Sequence, residues 1–270
     1  LLDGGAYASE SPFVTMKTVI HAAGPYRVPH VRVECTTAYT NKTYCGAFRG
    51  FGVPQVTFAS ESQMDELAAA LGMDPLELRL KNALTAGEPT ATGQVFKQSV
   101  GLRETIERVA ARATAEALPT RAAPTSENAA KSGRWLYGTG FASLLQGISN
   151  GAEGVDVVGA SVQVGQDGSA VVSVGLSDMG QGSRTVYAQI AAEVLGISID
   201  KVSVKQVDTD AVHDSGPTIA SRSTTVGGMA VFKAAGEVKQ SLVKTAAAML
   251  KCGEEEVVLR DDFAERASGG

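Results

Sequence analysis

The stretch Cys45-Gly46-Ala47-Phe48-Arg49-Gly50-Phe51-Gly52-Val53-Pro54-Gln55 decides how the first part of the chain is read. Glycines at every second to fourth position let the backbone take positive φ or come close to another group. Pro54 is preset for the start of a helix. Backbone amides at a helix N-terminus form a site for anions. The stretch therefore reads as a loop that wraps a negatively charged ligand, or as a tight structural turn around one core phenylalanine. Spacing alone leaves both open.

Outward from this loop, Pro12 to Ala23 reads as a short helix stopped by Gly24-Pro25. Val31 to Tyr39 alternates as a strand does, and Asp3-Gly4-Gly5 is turn-like. After Pro54 the residues Val56, Ser60, Met64, Leu67 and Leu71 recur at helical spacing, and Gly72 is a C-cap. Asp74-Pro75 opens a further helix, and Leu102, Ile106 and Val109 mark another. These stripes read as core faces. Residues 118–133 carry two prolines and no large apolar residue after Leu118, which makes them a linker. The chain divides accordingly into domains over 1–117 and 134–270.

The second domain opens on an extended segment, Trp135 to Leu145. A hairpin comes next, with strands around Val162 and Val172 joined at Gln166-Asp167-Gly168. The loop Ser177-Asp178-Met179-Gly180-Gln181-Gly182 leads into a helix striped by Val186, Ile190 and Val194 and ending at Gly196. Ile197 to Val204 reads as a strand, 208–223 as irregular, and Phe232 to Met249 as a long helix. Strand, strand, helix, strand, helix implies one parallel crossover, so the class is α+β rather than a doubly wound sheet.

Composition narrows the function. With 270 residues, 44% hydrophobic and 20% charged, the chain has the profile of a globular protein. A net charge of −5 without long single-sign runs argues against nucleic-acid binding, and no run is apolar enough for a membrane span. Cys35, Cys45 and Cys252 form no CxxC pair, and His21, His30 and His213 have no metal-ligand spacing, so a protein-ligated metal is not expected. The chain begins at Leu1 in mid-pattern, as an excised or processed piece would. Three loops, 46–53, 177–182 and 214–224, each precede a helix. Neither a Rossmann nor a P-loop pattern is met, and the shared feature is backbone amides and hydroxyls offered to phosphate or another anionic cofactor.

Gly46 to Gln55 closely resembles the AFRGFG(G/V)PQ stretch of the molybdenum hydroxylase family, which includes xanthine dehydrogenase and aldehyde oxidase. Asp178-Met179-Gly180-Gln181-Gly182, with Gln189-Ile190-Ala191 and Leu195-Gly196, resembles that family's (D/E)xGQG loop and helix. Ser215-Gly216-Pro217-Thr218-Ile219-Ala220-Ser221-Arg222-Ser223-Thr224 is similar to its SPTxASxxT segment. Asp3 to Ala8 and Ala22 to Tyr26 also match bacterial members. The resemblance runs in the family's order over nearly the whole chain, as the middle part of the molybdopterin-binding large subunit.

The resemblance implies two α/β-sandwich-like molybdopterin-binding domains with mixed sheets, the first incomplete at its N-terminus and the second at its C-terminus. It implies oxidative hydroxylation of an N-heterocycle or aldehyde with water as oxygen source, in the cytoplasm. The cofactor is molybdopterin, in its plain or cytosine dinucleotide form, carrying molybdenum. Iron–sulfur clusters of the 2Fe-2S type and FAD are expected on other domains or subunits, and the rest of the molybdopterin-binding segment is a partner. The backbone of Phe48, Arg49 and Gly50 would lie against the metal centre, with Arg49 and Ala220 nearest it through main-chain atoms and not as ligands. Gln181 and Gly182 would bond the pterin or an oxygen on the metal, and Ser221 and Ser223 the pyrophosphate. Phe51 would stack on substrate, and Leu144 to Gly151, including Asn150, falls where the family has a substrate loop.

The family's catalytic glutamate, in a Gly-x-Gly-Glu context, has no counterpart in this sequence, nor has its GGGFGGK-like loop. No catalytic residue is therefore assigned, and the chain alone is expected to be inactive. The alternatives are an isolated domain fragment that folds without cofactor, and a phosphate-binding module whose three loops point to different places.

Overall fold

The computed structural model describes residues 1–116, 139–149 and 154–267. It divides into two compact units, Leu1–Gln146 and Gly147–Gly270. The linker at 118–133 and Trp135 lie outside the described residues. The sequence places the start of the second domain at 134, yet residues up to Gln146 belong with the first unit. The cause is a pair of polar contacts: Ser143 donates its N–H to Glu61 Oε2 at 2.9 Å, and the Phe141 ring lies 5.8 Å from the Arg79 guanidinium.

In the first unit, strand β1 (Leu2–Gly5) pairs in parallel with β2 (Thr37–Tyr39), Leu2 opposite Thr37. The strand predicted over Val31 to Tyr39 shrinks to its last three residues, because only these meet a partner strand. That partner contains Asp3-Gly4-Gly5, which reads as a turn in the sequence. Helices α1 (Ser11–Ile20), α2 (Val53–Leu71), α3 (Pro75–Asn82) and α4 (Leu102–Ala115) occupy the predicted positions. Asp74 caps α3 as expected, accepting from the N–H groups of Leu76 and Glu77 at 2.8 and 3.1 Å. Gly72 ends α2 with φ 61°.

The buried edge of α2 differs from the predicted stripe. Val53, Glu61 and Ala68 are buried, whereas Leu67 and Leu71 are 46% and 64% exposed. Periodicity favours the edge richer in large apolar residues. The structure instead turns toward α1 and α3 the edge that carries a small residue and a carboxylate with partners. The displaced stripe lines a groove of about 560 Å³ with Val31, Val33 and Met64.

In the second unit, β3 (Ala160–Val164) and β4 (Ala170–Val174) form the predicted antiparallel hairpin. β5 (Val202–Val204) joins β4 in parallel, giving the order β3-β4-β5. Helix α5 (Ser183–Leu195) makes the crossover, and α6 (Gly228–Leu250) packs beside it. Val162, Val172 and Val174 from the sheet meet Tyr187, Ala191, Leu195, Val231 and Ala235 from the helices in one core. Full burial of each large side chain there contributes roughly 1.5–3 kcal/mol. Alanines on the facing helix sides set a close approach, and Phe232 and Met249 lie exposed on the outer side of α6. A terminal hairpin, β6 (Val257–Arg260) with β7 (Phe263–Arg266), has no counterpart in the sequence reading; its turn uses Asp261 and Asp262 at φ 49° and 71°. The α+β class with small mixed sheets agrees with the sequence reading.

The entrance to the glycine loop is held electrostatically. The Asp3 carboxylate accepts from Lys42 Nζ at 2.6 Å, Thr40 Oγ1 at 2.7 Å and the Gly5 N–H at 3.1 Å. The Lys42 bond first, then those of Thr40 and Gly5, pull the Asp3 carboxyl from 3.8 down to about 2. A group with a depressed folded pKa stabilises the fold above its unfolded value and loses that contribution as pH falls through its folded one. Asp3→Asn is therefore expected to lower the urea midpoint at neutral pH, with the gap from the parent closing between about pH 4 and about pH 2. Denaturation curves of both proteins across that range check it; a gap independent of pH contradicts it.

Candidate functional site

In the first unit the loop between β2 and α2 enters its helix through three consecutive left-handed residues, Gly50 (φ 83°), Phe51 (φ 47°) and Gly52 (φ 92°). Gly52 is the N-cap of α2, without a side-chain cap. It sits against α1: a Cβ there would lie 2.4 Å from the Val14 carbonyl oxygen, and Thr18 Oγ1 donates to the Gly52 carbonyl at 3.2 Å. Val53 is buried beside it, so the helix start is fixed in the core. Just before this anchor the chain opens to solvent. Phe48 is 79% exposed, Arg49 is exposed and Phe51 is half-buried. Among the described residues, no backbone acceptor takes the N–H groups of Ala47, Phe48 or Arg49. An apolar ring and open amides on one rigidly rooted loop suit a ligand that is flat in one part and anionic in another.

In the second unit the loop 177–182 is built around Asp178. Its Oδ1 accepts from the N–H groups of Gly180 (2.8 Å) and Gly182 (3.3 Å), and its Oδ2 accepts from that of Arg184 (3.2 Å). These bonds, Gly180's first, hold the Asp178 carboxyl below the usual carboxylate range. The amides at the start of α5 thus already face an anion supplied by the chain. The sequence reading offers these amides to phosphate; the structure directs them to Asp178. Gln181 closes the loop, accepting from the Met179 N–H at 2.5 Å and donating to the Ser177 carbonyl at 3.0 Å. A carboxamide oxygen keeps a second lone pair, which leaves Gln181 Oε1 one acceptor position. Gly182, at φ 79°, has nothing within 4 Å of where a Cβ would stand.

The loop 214–224 is locked from inside by Arg222, which is 2% exposed. Its Nη2 donates to the Ser215 carbonyl and, at 2.8 Å, to that of Pro217; its Nη1 is 3.6 Å from Asp156 Oδ1. Under this brace Ala220 and Ser221 take φ 54° and 52°, a conformation that costs a non-glycine residue about 1 kcal/mol or more. A five-residue π-helical turn, Ser223–Gly227, then leads into α6. Such turns gather at functional sites. The Arg222 N–H is taken by the Ile219 carbonyl at 3.3 Å, but among the described residues no backbone acceptor takes those of Ser223 and Thr224, so these are available to an anion together with the exposed Ser221 hydroxyl. The Ala220 carbonyl accepts from the Ser149 N–H at 2.7 Å, which ties the 147–149 segment to this loop.

The two loops of this unit meet. Ser177 donates its N–H to Thr218 Oγ1 at 2.8 Å, and the buried Tyr187 hydroxyl donates to the Ser223 carbonyl at 3.2 Å. Gln181, Gly182, Ala220, Ser221 and Ser223 therefore belong to one constellation within the second unit. Phe48, Arg49, Gly50 and Phe51 form the other, within the first. Asn150 lies outside the described residues. Sequence reasoning does not find the supports: Asp178 and Arg222 figure only as parts of motifs, and Tyr187 stands one position from the predicted stripe. An acidic residue four positions before a glycine N-cap is the available signal for Asp178.

Residues 1–83 and 108–268 each match a molybdopterin cofactor-binding domain. The chain belongs to the molybdenum hydroxylase family. It is 34% identical over 277 residues to the nicotine 6-hydroxylase large subunit of Paenarthrobacter nicotinovorans, covering 98% of this chain and 33% of that one. It is 52% identical over 111 residues to the nicotinate dehydrogenase large molybdopterin subunit of Eubacterium barkeri, covering 41% of this chain and 26% of that subunit. Quinoline 2-oxidoreductase from Pseudomonas putida 86 superposes with a TM-score of 0.76 at 25% identity, over 98% of this chain and 35% of that chain. The chain thus spans about a third of the length of these molybdenum hydroxylase relatives and corresponds to part of their molybdopterin-binding subunit.

The two glycine N-caps differ in a testable way. Gly52→Ala meets both the positive φ and the Val14 carbonyl, and is expected to cost more than about 2 kcal/mol. Gly182→Ala meets the positive φ alone, in open space, and is expected to cost about 1 kcal/mol. Chemical denaturation of the two variants ranks them; equal costs overturn the close-approach argument at Gly52.

Proposed function

We propose that the chain supplies molybdopterin-binding surfaces of an enzyme that hydroxylates an aromatic N-heterocycle or an aldehyde, taking the oxygen from water. The observation that carries this is the joining of loops 177–182 and 214–224, with Ala220 and Ser221 held in left-handed strain where the two meet. Strain in non-glycine residues persists only where surrounding structure over-determines it, and it gathers at ligand sites.

The residues present fit the group. Ser221, Ser223 and the amides after them bind the cofactor's pyrophosphate, since hydroxyls and helix-entry amides neutralise phosphate charge without a lysine. Gln181, with Gly182 leaving open space beside it, offers its remaining acceptor position to a pterin N–H. In the first unit, the main chain of Phe48, Arg49 and Gly50 approaches the metal end, as does that of Ala220 in the second. Phe51 stacks on the flat substrate, and residues 144–149 line its pocket. Bound molybdopterin, in its plain or cytosine dinucleotide form, supplies the metal and the redox chemistry, and the protein supplies orientation and electrostatics. The relatives named as nicotinate, nicotine and quinoline enzymes favour an N-heterocycle as substrate. The base that takes the substrate proton, the iron–sulfur clusters and FAD come from other segments or subunits. The two domains of the proposal, over 1–117 and 134–270, are joined by the 118–133 linker.

A second reading is an isolated fragment that folds without cofactor, favoured by the one-third coverage of the relatives. Metal analysis separates the two. The enzyme assembled with its remaining segments is expected to hold molybdenum near one per chain and to oxidise at least one of nicotinate, quinoline, xanthine and benzaldehyde. Ser221→Ala combined with Ser223→Ala is expected to lower the molybdenum content several-fold while leaving the assembly intact by gel filtration. An assembled enzyme free of molybdenum overturns the proposal. Molybdenum near one per chain in the 270-residue chain alone removes the fragment reading.

A further inference from the structure

The first unit buries a charged cluster that includes none of the candidate cofactor residues. Arg79 is fully buried on α3, and Glu61 on α2 is 5% exposed. Arg79 Nε donates to Glu61 Oε2 at 2.8 Å, and its Nη2 donates to the Glu61 carbonyl at 3.0 Å. Its Nη1 donates to Asp65 Oδ1 at 2.8 Å and to the Pro75 carbonyl at 3.1 Å. The other Glu61 oxygen accepts from the Tyr26 hydroxyl at 2.6 Å. Burial first, and then this bond, push the Tyr26 phenol well above its usual range, so it stays a donor.

An ion pair that only joined α2 to α3 would need no third segment. Here Glu61 Oε2 also accepts the Ser143 N–H at 2.9 Å, across 82 residues of sequence, and Phe141 lays its ring 5.8 Å from the Arg79 guanidinium. Residues 139–149 lie in no helix or strand. Their place in the first unit is therefore set by side chains, with the buried carboxylate supplying a charge-assisted bond to the backbone. In the second unit the far end of the same segment is tied by the Ser149 N–H to Ala220.

We propose that Glu61 and Arg79 are positioning residues that clamp the root of the 144–149 segment and so set the substrate pocket. This rests on the reading of that segment as the substrate loop. The cluster touches neither substrate nor cofactor. It acts through Ser143 and Phe141, and its loss loosens substrate binding while the cofactor stays in place.

The test uses the assembled enzyme and two variants. Glu61→Gln removes the charge facing Arg79. Phe141→Leu leaves the ion pair whole and removes only the ring, so it remains informative if Glu61→Gln does not fold. In each, amide exchange over 141–146 is expected to accelerate about tenfold relative to α5 and α6. The KM for whichever heterocycle the parent enzyme oxidises is expected to rise several-fold, with kcat and molybdenum content unchanged. Unchanged exchange in folded variants overturns the clamp. Faster exchange with an unmoved KM overturns the substrate-loop reading and with it the positioning role, while the clamp stands as architecture. A fall in kcat and molybdenum together, at constant KM, assigns the cluster to general stability and also overturns the proposal.

Discussion

The site loops of this chain enter their helices in the left-handed region, and most of the unusual local structure stems from that constraint. α3 begins conventionally, with Asp74 capping from an extended backbone. α2 and α5 begin on glycines at φ 92° and 79°, and neither has a side-chain cap. The approach to α6 passes through Ala220 and Ser221 and then a π-helical turn. A conventional cap places an oxygen over the first amides and closes the helix end. A left-handed entry swings the preceding residues aside and leaves the end approachable. α3 takes the closed form, whereas α2 and α6 are entered openly beside candidate site residues, and at α5 Asp178 covers the left-handed entry from upstream.

Open entries are costly to hold, and buried polar groups hold them. Arg222 satisfies its guanidinium with carbonyls of the same loop and with Asp156, so the cation is desolvated only where acceptors replace water. Asp178 replaces a cap from four residues upstream of Gly182, reaching forward to the amides of Gly180, Gly182 and Arg184. Thr18 serves α2 from the neighbouring helix. Each brace spends its hydrogen bonds on the chain itself. The residues beside it are left with donors and acceptors that the fold does not use.

This division explains what is legible in the sequence. Helix positions are, because Pro, Gly and Asp at helix ends act locally, as Pro54, Gly72, Asp74 and Gly196 show. The hairpin at Asp167-Gly168 is, for the same reason. Which edge of α2 is buried is not, since it depends on Glu61 finding Arg79 eighteen residues later, and hydrophobic periodicity counts a carboxylate as outward. β1 passes for a turn because its strand character comes only from pairing with Thr37–Tyr39 across the chain. The motif residues themselves are legible through resemblance. Their supports are not, because Arg222 and Asp178 act through three-dimensional reach rather than spacing.

The fate of loop 177–182 shows why helix ends should be read with their local charge. A glycine-rich entry to a helix looks like a phosphate cradle, and the positive end of the helix dipole reinforces that impression. Here Asp178 already stands at that end, so a phosphate brought to the same amides would meet a carboxylate held in its charged form. Its repulsion at close range opposes the attraction of the helix end. The loop is therefore suited to a neutral, hydrogen-bonding edge such as a pterin ring, presented to Gln181. Loop 214–224, whose cation is turned inward and whose early amides are open, is suited to the anion. The two loops join at Ser177 and Thr218, so one surface of the second unit offers both chemistries side by side. A cofactor with a polar heterocycle at one end and a pyrophosphate at the other is matched by that pairing more closely than by either loop alone.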